Sequence, residues 1–119
     1  MRLLSALAVA GLTSCAPVEA PPAMPPMTLV DLAGGYDASP AACAGPGSDM
    51  RLTIAADRVM FHESSCRVLS QEAAAGGVQA QLACTGEGET WSDSRDFTPT
   101  HNGVIVTTGG QSTPRIRCN

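Results

Sequence analysis

Lysine is missing from this 119-residue chain, and large aromatic side chains are scarce, with one Trp, one Tyr and two Phe. Without lysine the protein has no side-chain amine for Schiff-base chemistry. Its seven arginines are scattered, and only Arg115 and Arg117 lie close together. The basic stripe that binding to nucleic-acid phosphates requires is therefore missing too. The scarcity of aromatic residues predicts a thin hydrophobic core.

Sequence motifs of catalysis and metal binding are also missing. The chain contains no Gly-x-Ser-x-Gly, no His-x-His and no Cys-x-x-Cys sequence. Its two histidines are His62 and His101, and His62 is predicted to face solvent on a strand. The candidate acidic ligands for zinc or calcium are Glu63, Glu87, Glu89, Asp93 and Asp96. Their spacing fits neither a zinc site nor an EF-hand loop, so we expect no bound metal. Because the catalytic sequence motifs are missing, we also expect no catalytic residue and no cofactor.

The amino terminus has the features of a secretory signal peptide. Arg2 precedes a ten-residue apolar run, Leu3 to Leu12, which is too short to span a bilayer. The run ends in Leu12-Thr13-Ser14-Cys15, which resembles the lipobox of bacterial lipoproteins. The resemblance implies that residues 1–14 are a cleaved signal peptide, that Cys15 carries a diacylglycerol thioether, and that the new amino terminus is acylated, for example with palmitate. Ala16 resembles the residue after the lipidated cysteine in lipoproteins sorted to the outer membrane, so we expect an anchor in the outer rather than the inner membrane, facing the periplasm.

The part that follows the signal divides into a tether and one domain. Residues 15–27 contain five of the nine prolines, and their thirteen residues reach roughly 40 Å at about 3.1 Å per residue. Residues 28–119 form a single domain, too small to be two. Loss of Arg2 with the signal leaves six arginines against eleven acidic residues, a formal charge of −5. This charge suits a soluble domain and allows a basic protein partner.

Cysteine usage predicts two disulfides. With Cys15 assigned to lipid, the remaining four, Cys43, Cys66, Cys84 and Cys118, form an even set in an oxidising compartment. Three pairings are possible, and sequence alone does not choose among them. The preferred pairing joins Cys43 to Cys66 and Cys84 to Cys118.

Alternation of apolar and polar residues with period two dominates the domain and predicts an all-β fold. Residues 50–54 and 58–62 form a predicted hairpin, and residues 78–84 alternate most regularly. We expect a first strand over 29–36, a loop over 41–47 held by Cys43, and a loop with at most one helical turn over 70–75. Seven or eight short antiparallel strands form a meander that closes as a barrel or a sandwich. Trp91 is predicted to be packed or half-packed.

The chain has an early Gly-x-Tyr strand at Gly34 to Tyr36, four cysteines, and the final pair Arg117-Cys118. Through these features it resembles small envelope lipoproteins of unknown function that fold as compact β-barrels. The chain also resembles periplasmic barrels that inhibit lysozyme or proteases, although no inhibitory loop motif is present. We expect a non-catalytic binding module, of which an inhibitor of another envelope protein is one form. The alternatives are an accessory lipoprotein of an envelope assembly and, less favoured, a small hydrolase or ligand carrier. The sequence leaves the partner and the oligomeric state open.

Overall fold

The computed structural model describes residues 10–12, 15 and 26–119. The elements are a 3₁₀ helix η1, Leu29–Leu32, one α-helix and eight strands. The helix α1 spans Pro40–Ala44. The strands are β1 Gly34–Asp37, β2 Leu52–Ile54, β3 Arg58–Phe61, β4 Ser65–Ala74, β5 Gly77–Gly86, β6 Glu89–Pro99, β7 Gly103–Thr108 and β8 Gln111–Cys118.

The strands form a closed antiparallel barrel in which each strand pairs with its neighbours in sequence and β8 pairs back with β1. The prediction of an all-β meander is confirmed, and of the two closures considered the barrel is the correct one. The hairpins β4–β5 and β5–β6 turn over Ala75-Gly76 and Glu87-Gly88, all at positive φ. Such two-residue turns match the right-handed twist of the flanking strands. Closure leaves the sheet without an exposed edge.

The core fills the barrel interior with the inward residues of each strand. Leu52 and Ile54 on β2, and Val78 and Leu82 on β5, are buried on alternate positions, as the sequence pattern predicts. Phe97 is fully buried on β6. An eight-stranded barrel is just wide enough for such side chains to fill it. The interior of the barrel is therefore filled with side chains, apart from its ends.

The two disulfides are present, but the preferred pairing is wrong. Cys66 pairs with Cys84, directly opposite it across β4 and β5, with 4.0 Å between the Cα atoms. This bridge is buried inside the barrel. Cys43 of α1 pairs with Cys118 at the end of β8. The helix packs outside the β1–β8 contact, so the second bridge fastens the seam at which the barrel closes.

Three local predictions are also wrong. In the segment 70–75, residues 70–74 continue β4 as a strand after a bulge between Val68 and Ser70, because Gln71 and Ala73 pair with β5, and Ala75 begins the turn. Tertiary pairing thus overrides the helix propensity of the segment. Residues 29–32 form η1 instead of the start of a strand. Residues 40–44 form α1, whose amide at Ala42 donates to the Ser39 hydroxyl at the amino-terminal cap.

The 3₁₀ helix η1 plugs one end of the barrel, which we call the plugged end. Leu29 and Leu32 are buried in the core, and the Leu29 amide donates to Gln71 Oε1 over 2.8 Å. The Tyr36 hydroxyl donates to the Leu32 carbonyl over 2.7 Å and accepts from Arg117 Nη2 over 3.0 Å. The tether therefore joins the barrel at a sealed end.

The amino-terminal predictions fall largely outside the described residues. This holds for most of the signal peptide and for residues 16–25 of the tether. Cys15 is exposed and forms no disulfide with another described cysteine. No helix in the described part of the chain has the length and hydrophobicity to cross a membrane.

Candidate functional site: the open end of the barrel

The end opposite the plug, which we call the open end, carries a cavity of about 370 Å³. It lies beside the loop that leads into β2 and the turn between β3 and β4. Its lining includes Phe61, His62, Ser64, Arg95 and Arg115. This volume falls within the range of pockets that hold small ligands or single side chains.

Arg115 lines the cavity and is only 8% exposed. It reaches the interior because β8 alternates, and its register opposite Val104 of β7 places it on the inner face. Its Nε donates to the Met50 carbonyl over 2.6 Å, and its Nη1 donates to Thr113 Oγ1 over 3.4 Å. Burial lowers the pKa of the Arg115 guanidinium, the charge of Arg95 lowers it further, and the carboxylate of Asp37 acts in the opposite direction. Arginine nevertheless stays protonated in proteins, so a positive charge is held inside the open end.

Arg95 of β6 brings a second guanidinium to the cavity. Its Nε donates to Asp93 Oδ2 over 2.9 Å, and both side chains are largely buried. The carbon of its guanidinium lies 4.0 Å from the centroid of the Phe61 ring, a cation–π contact. Stacking and the ion pair fix the orientation of the side chain. Arg95 therefore presents its remaining donors from a rigid position.

The rim of the open end is acidic. His62 Nε2 lies 3.5 Å from Asp49 Oδ1 and 3.8 Å from Glu63 Oε1, and both carboxylates are well exposed. A second depression, of about 250 Å³, shares Glu63 and Ser64 with the first and is bounded by Trp91. The Trp91 side chain is 40% exposed, so the ring is half-packed at the rim and not part of the core. The open end thus combines an aromatic edge, exposed acids and an interior pair of arginines.

The residues considered in the sequence as ligands come together only in part. His62 lies beside Glu63, and Glu63, Glu87 and Glu89 line the second depression. His62 is exposed at the open end, as predicted, whereas His101 lines a cavity at the plugged end. The acidic run is divided, because Asp93 points inward to Arg95 while Asp96 lies on the outer face of the same strand. Among the described residues, no group of three or more His, Cys, Asp or Glu side chains is placed to hold a metal ion.

The sequence reasoning missed Arg95, Arg115 and Phe61. On β8, Ile116 and Cys118 form an apolar face that points out of the barrel toward the side that α1 covers, and Arg115 faces the interior. The inward position of Arg95 could have been predicted from the alternation of side chains along a strand. Arg95 stands two residues before Phe97 on β6 and therefore shares its inward face.

Comparison with protein-family models, with curated proteins and with solved structures found no match for this chain. Its function is therefore inferred from the geometry above.

Proposed function

We propose that this protein is a lipid-anchored binding module of the bacterial cell envelope, and that its ligand enters the open end of the barrel. The observation that carries the proposal is the difference between the two ends. Both ends hold a cavity, of about 360 Å³ at the plugged end and about 370 Å³ at the open end. At the plugged end Leu29 and Leu32 fill the interior, the tether joins, and the Arg117 guanidinium is bonded to Ala33 and Tyr36. At the open end the cavity is lined by two largely buried guanidiniums, of Arg95 and Arg115. A tether of this kind directs the open end away from the membrane.

A binding role fits the side chains at the open end better than catalysis does. His62 is flanked by the carboxylates of Asp49 and Glu63 instead of by a hydroxyl or thiol that it would activate. The fixed arginines and the half-exposed Trp91 ring are residue types that anchor protein interfaces. The closed barrel also lowers the entropic cost of binding, because the site needs little reordering.

The anchor is the second part of the proposal. Cys15 is exposed and separate from the four disulfide cysteines, which leaves its thiol available for lipidation. We expect metabolic incorporation of an alkyne-tagged palmitate into the full chain, and loss of the label in Cys15→Ser. An unlabelled wild-type protein would contradict the lipid assignment while leaving the binding site intact.

The two histidines provide a matched pair for testing the binding end. Each is exposed, and His62 lies at the open end while His101 lies at the plugged end. A photoactivatable benzoylphenylalanine at position 62 of the full chain, expressed in its own host, should give a discrete crosslinked product on irradiation. The same residue at position 101 should not. Products of equal yield from both positions, or from position 101 alone, would refute the proposal, as would the absence of product from both.

An accessory role in an envelope assembly gives a different result. It predicts that Cys15→Ser abolishes crosslinking from position 62, because the barrel no longer meets its neighbours at the membrane. A freely acting binding module retains that product when the partner is also soluble.

A further inference from the structure

Arg115 is a buried cation that forms no ion pair with a described side chain, although the buried carboxylate of Asp37 acts on it at longer range. More than nine-tenths of its surface is covered, and its hydrogen bonds go to a neutral carbonyl, of Met50, and a neutral hydroxyl, of Thr113. The ion pairs among described residues are made by Arg95 and His62 and do not include it. A buried charge is costly unless it is paired. The free protein therefore keeps a buried positive charge that no described carboxylate contacts directly.

Arg95 strengthens the local excess of positive charge. Asp93 occupies its Nε, and no described residue accepts a hydrogen bond from its two Nη groups. Two guanidiniums thus line one cavity, and the inward carboxylate beside them, that of Asp93, is paired with Arg95. Guanidinium groups bind the planar carboxylate through paired N–H donors. An anion that enters the cavity would relieve the repulsion between the two arginines.

The rim limits which anion fits. Asp49 and Glu63 at the edge of the same cavity repel a doubly charged group such as phosphate more strongly than a singly charged one. Phe61 also lines the cavity and adds apolar surface for the carbon atoms next to the anion, apart from the ring face that the Arg95 guanidinium covers. A cavity of about 370 Å³ accepts a group the size of an amino-acid residue.

We propose that the open end of the barrel binds a carboxylate group through Arg95 and Arg115, with Phe61 contacting the carbon chain that carries it. This deepens the proposed function, because it rests on the open end as the binding end and names the chemistry of the ligand. The carboxylate belongs to a free small acid or to a peptide, and the two sources share this recognition.

The direct test follows the arginine Nε–Hε signals of the ¹⁵N-labelled full chain in detergent micelles. Titration with N-acetyl-L-alanine should shift the signals of Arg95 and Arg115 saturably, with a dissociation constant on the order of millimolar. The neutral analogue N-acetyl-L-alanine amide should not shift them. Arg67, which is exposed on the outer face of β4, serves as the internal control. No saturable shift, an equal response to the amide, or an equal response of Arg67 would overturn the proposal.

Substitutions separate binding from folding. Arg95→Gln removes one of the two guanidiniums and should weaken N-acetyl-L-alanine about tenfold or more, while Arg67→Gln should leave it unchanged. Arg115→Gln should have at least the effect of Arg95→Gln. If Arg115→Gln does not fold, Arg95→Gln alone decides, and undiminished affinity in that variant refutes the proposal.

Titrations with other ligands identify the source of the carboxylate, and the crosslink separates carboxylate binding from the proposed function. A tetrapeptide Ala-Ala-Ala-Ala with a free carboxyl end that binds more tightly than N-acetyl-L-alanine indicates a peptide, and equal binding indicates a small acid. Inorganic phosphate that binds more tightly than either contradicts the preference for a single charge. If the Nε–Hε signals of Arg95 and Arg115 do not shift but position 62 still gives a crosslinked product, carboxylate binding is refuted. The proposal that the open end is the binding end then stands.

Discussion

Removal of the bridge between Cys43 and Cys118 should lower stability more than the loss of one surface contact would, because the bridge closes most of the barrel. The two residues are 75 positions apart. Loop entropy assigns a cross-link of this span about 4.5 kcal/mol, against about 3 kcal/mol for the span of 18 between Cys66 and Cys84. A domain of this size has a total free energy of unfolding of roughly 5 to 15 kcal/mol. The double variant Cys43→Ser/Cys118→Ser should therefore be close to unfolded at 37 °C.

Thermal unfolding followed by circular dichroism measures this effect. For a domain of this length each kcal/mol corresponds to about 4 to 8 °C, so a loss of about 4.5 kcal/mol should lower the melting temperature of the double serine variant by roughly 18 to 36 °C. The matched variant Cys66→Ala/Cys84→Ala tests the interior bridge, where the loss of two buried sulfur atoms adds a cavity term. A melting temperature lowered by less than about 5 °C in the serine variant would refute the reasoning that the seam depends on this bridge.

The pairing itself can be checked on the same preparation. Trypsin cleaves after arginine, and arginines separate all four cysteines, so that Cys66 falls in peptide 59–67, Cys84 in 68–95 and Cys118 in 118–119. A non-reduced digest should contain 59–67 linked to 68–95, and 118–119 linked to the peptide that ends at Arg51. Any other linkage contradicts the fold at the seam.

Three further substitutions test the packing. Gly103→Ala places a methyl group against the backbone of Arg115 and should prevent stable closure of the barrel, whereas Gly35→Ala meets nothing within 4 Å and should be tolerated, as urea unfolding would show. Asp37→Asn should destabilise the protein at pH 7. Hydrogen bonds, from a serine hydroxyl first, lower the pKa of Asp37 below 3.8 in the folded state, so its contribution is complete above that value and lost as the pH falls through the folded pKa. The difference between variant and wild type should therefore shrink in unfolding curves taken below pH 4, and a constant difference would contradict this. Leu29→Ala should cost about 2 to 5 kcal/mol by opening a cavity at the plugged end, against almost nothing for the exposed Val30→Ala; equal losses would show that the plug does not pack.

Strand alternation made most of the barrel predictable. The hairpin of β2 and β3 and the strand β5 follow directly from apolar residues at every second position, such as Leu52 with Ile54 and Val78 with Leu82. Gln71 in the helix-favouring stretch behaves differently, because its strand conformation comes from pairing with β5 and not from local preference.

The candidate site was not predictable in the same way. An arginine that alternates with apolar residues is ordinarily assigned to the solvent side of a strand. Arg115 faces inward because the seam with β1 and the helix α1 cover the apolar side of β8, and both contacts join parts of the chain that are far apart in sequence. The pairing of Cys43 with Cys118 depends on the same long-range closure.

The central claim is that Arg115 carries an unpaired buried charge kept for a ligand, and the free energy of unfolding of Arg115→Met in urea tests it most directly. The variant lacks a charged hydrogen bond to Met50 that stabilises the fold by about 1.5 to 3 kcal/mol. It also avoids the cost of burying a charge, which is several kcal/mol. We predict a free energy of unfolding within about 1 kcal/mol of the wild type, or higher, when no carboxylate is added. A loss of more than about 3 kcal/mol would show that Arg115 serves the fold, and it would contradict the account.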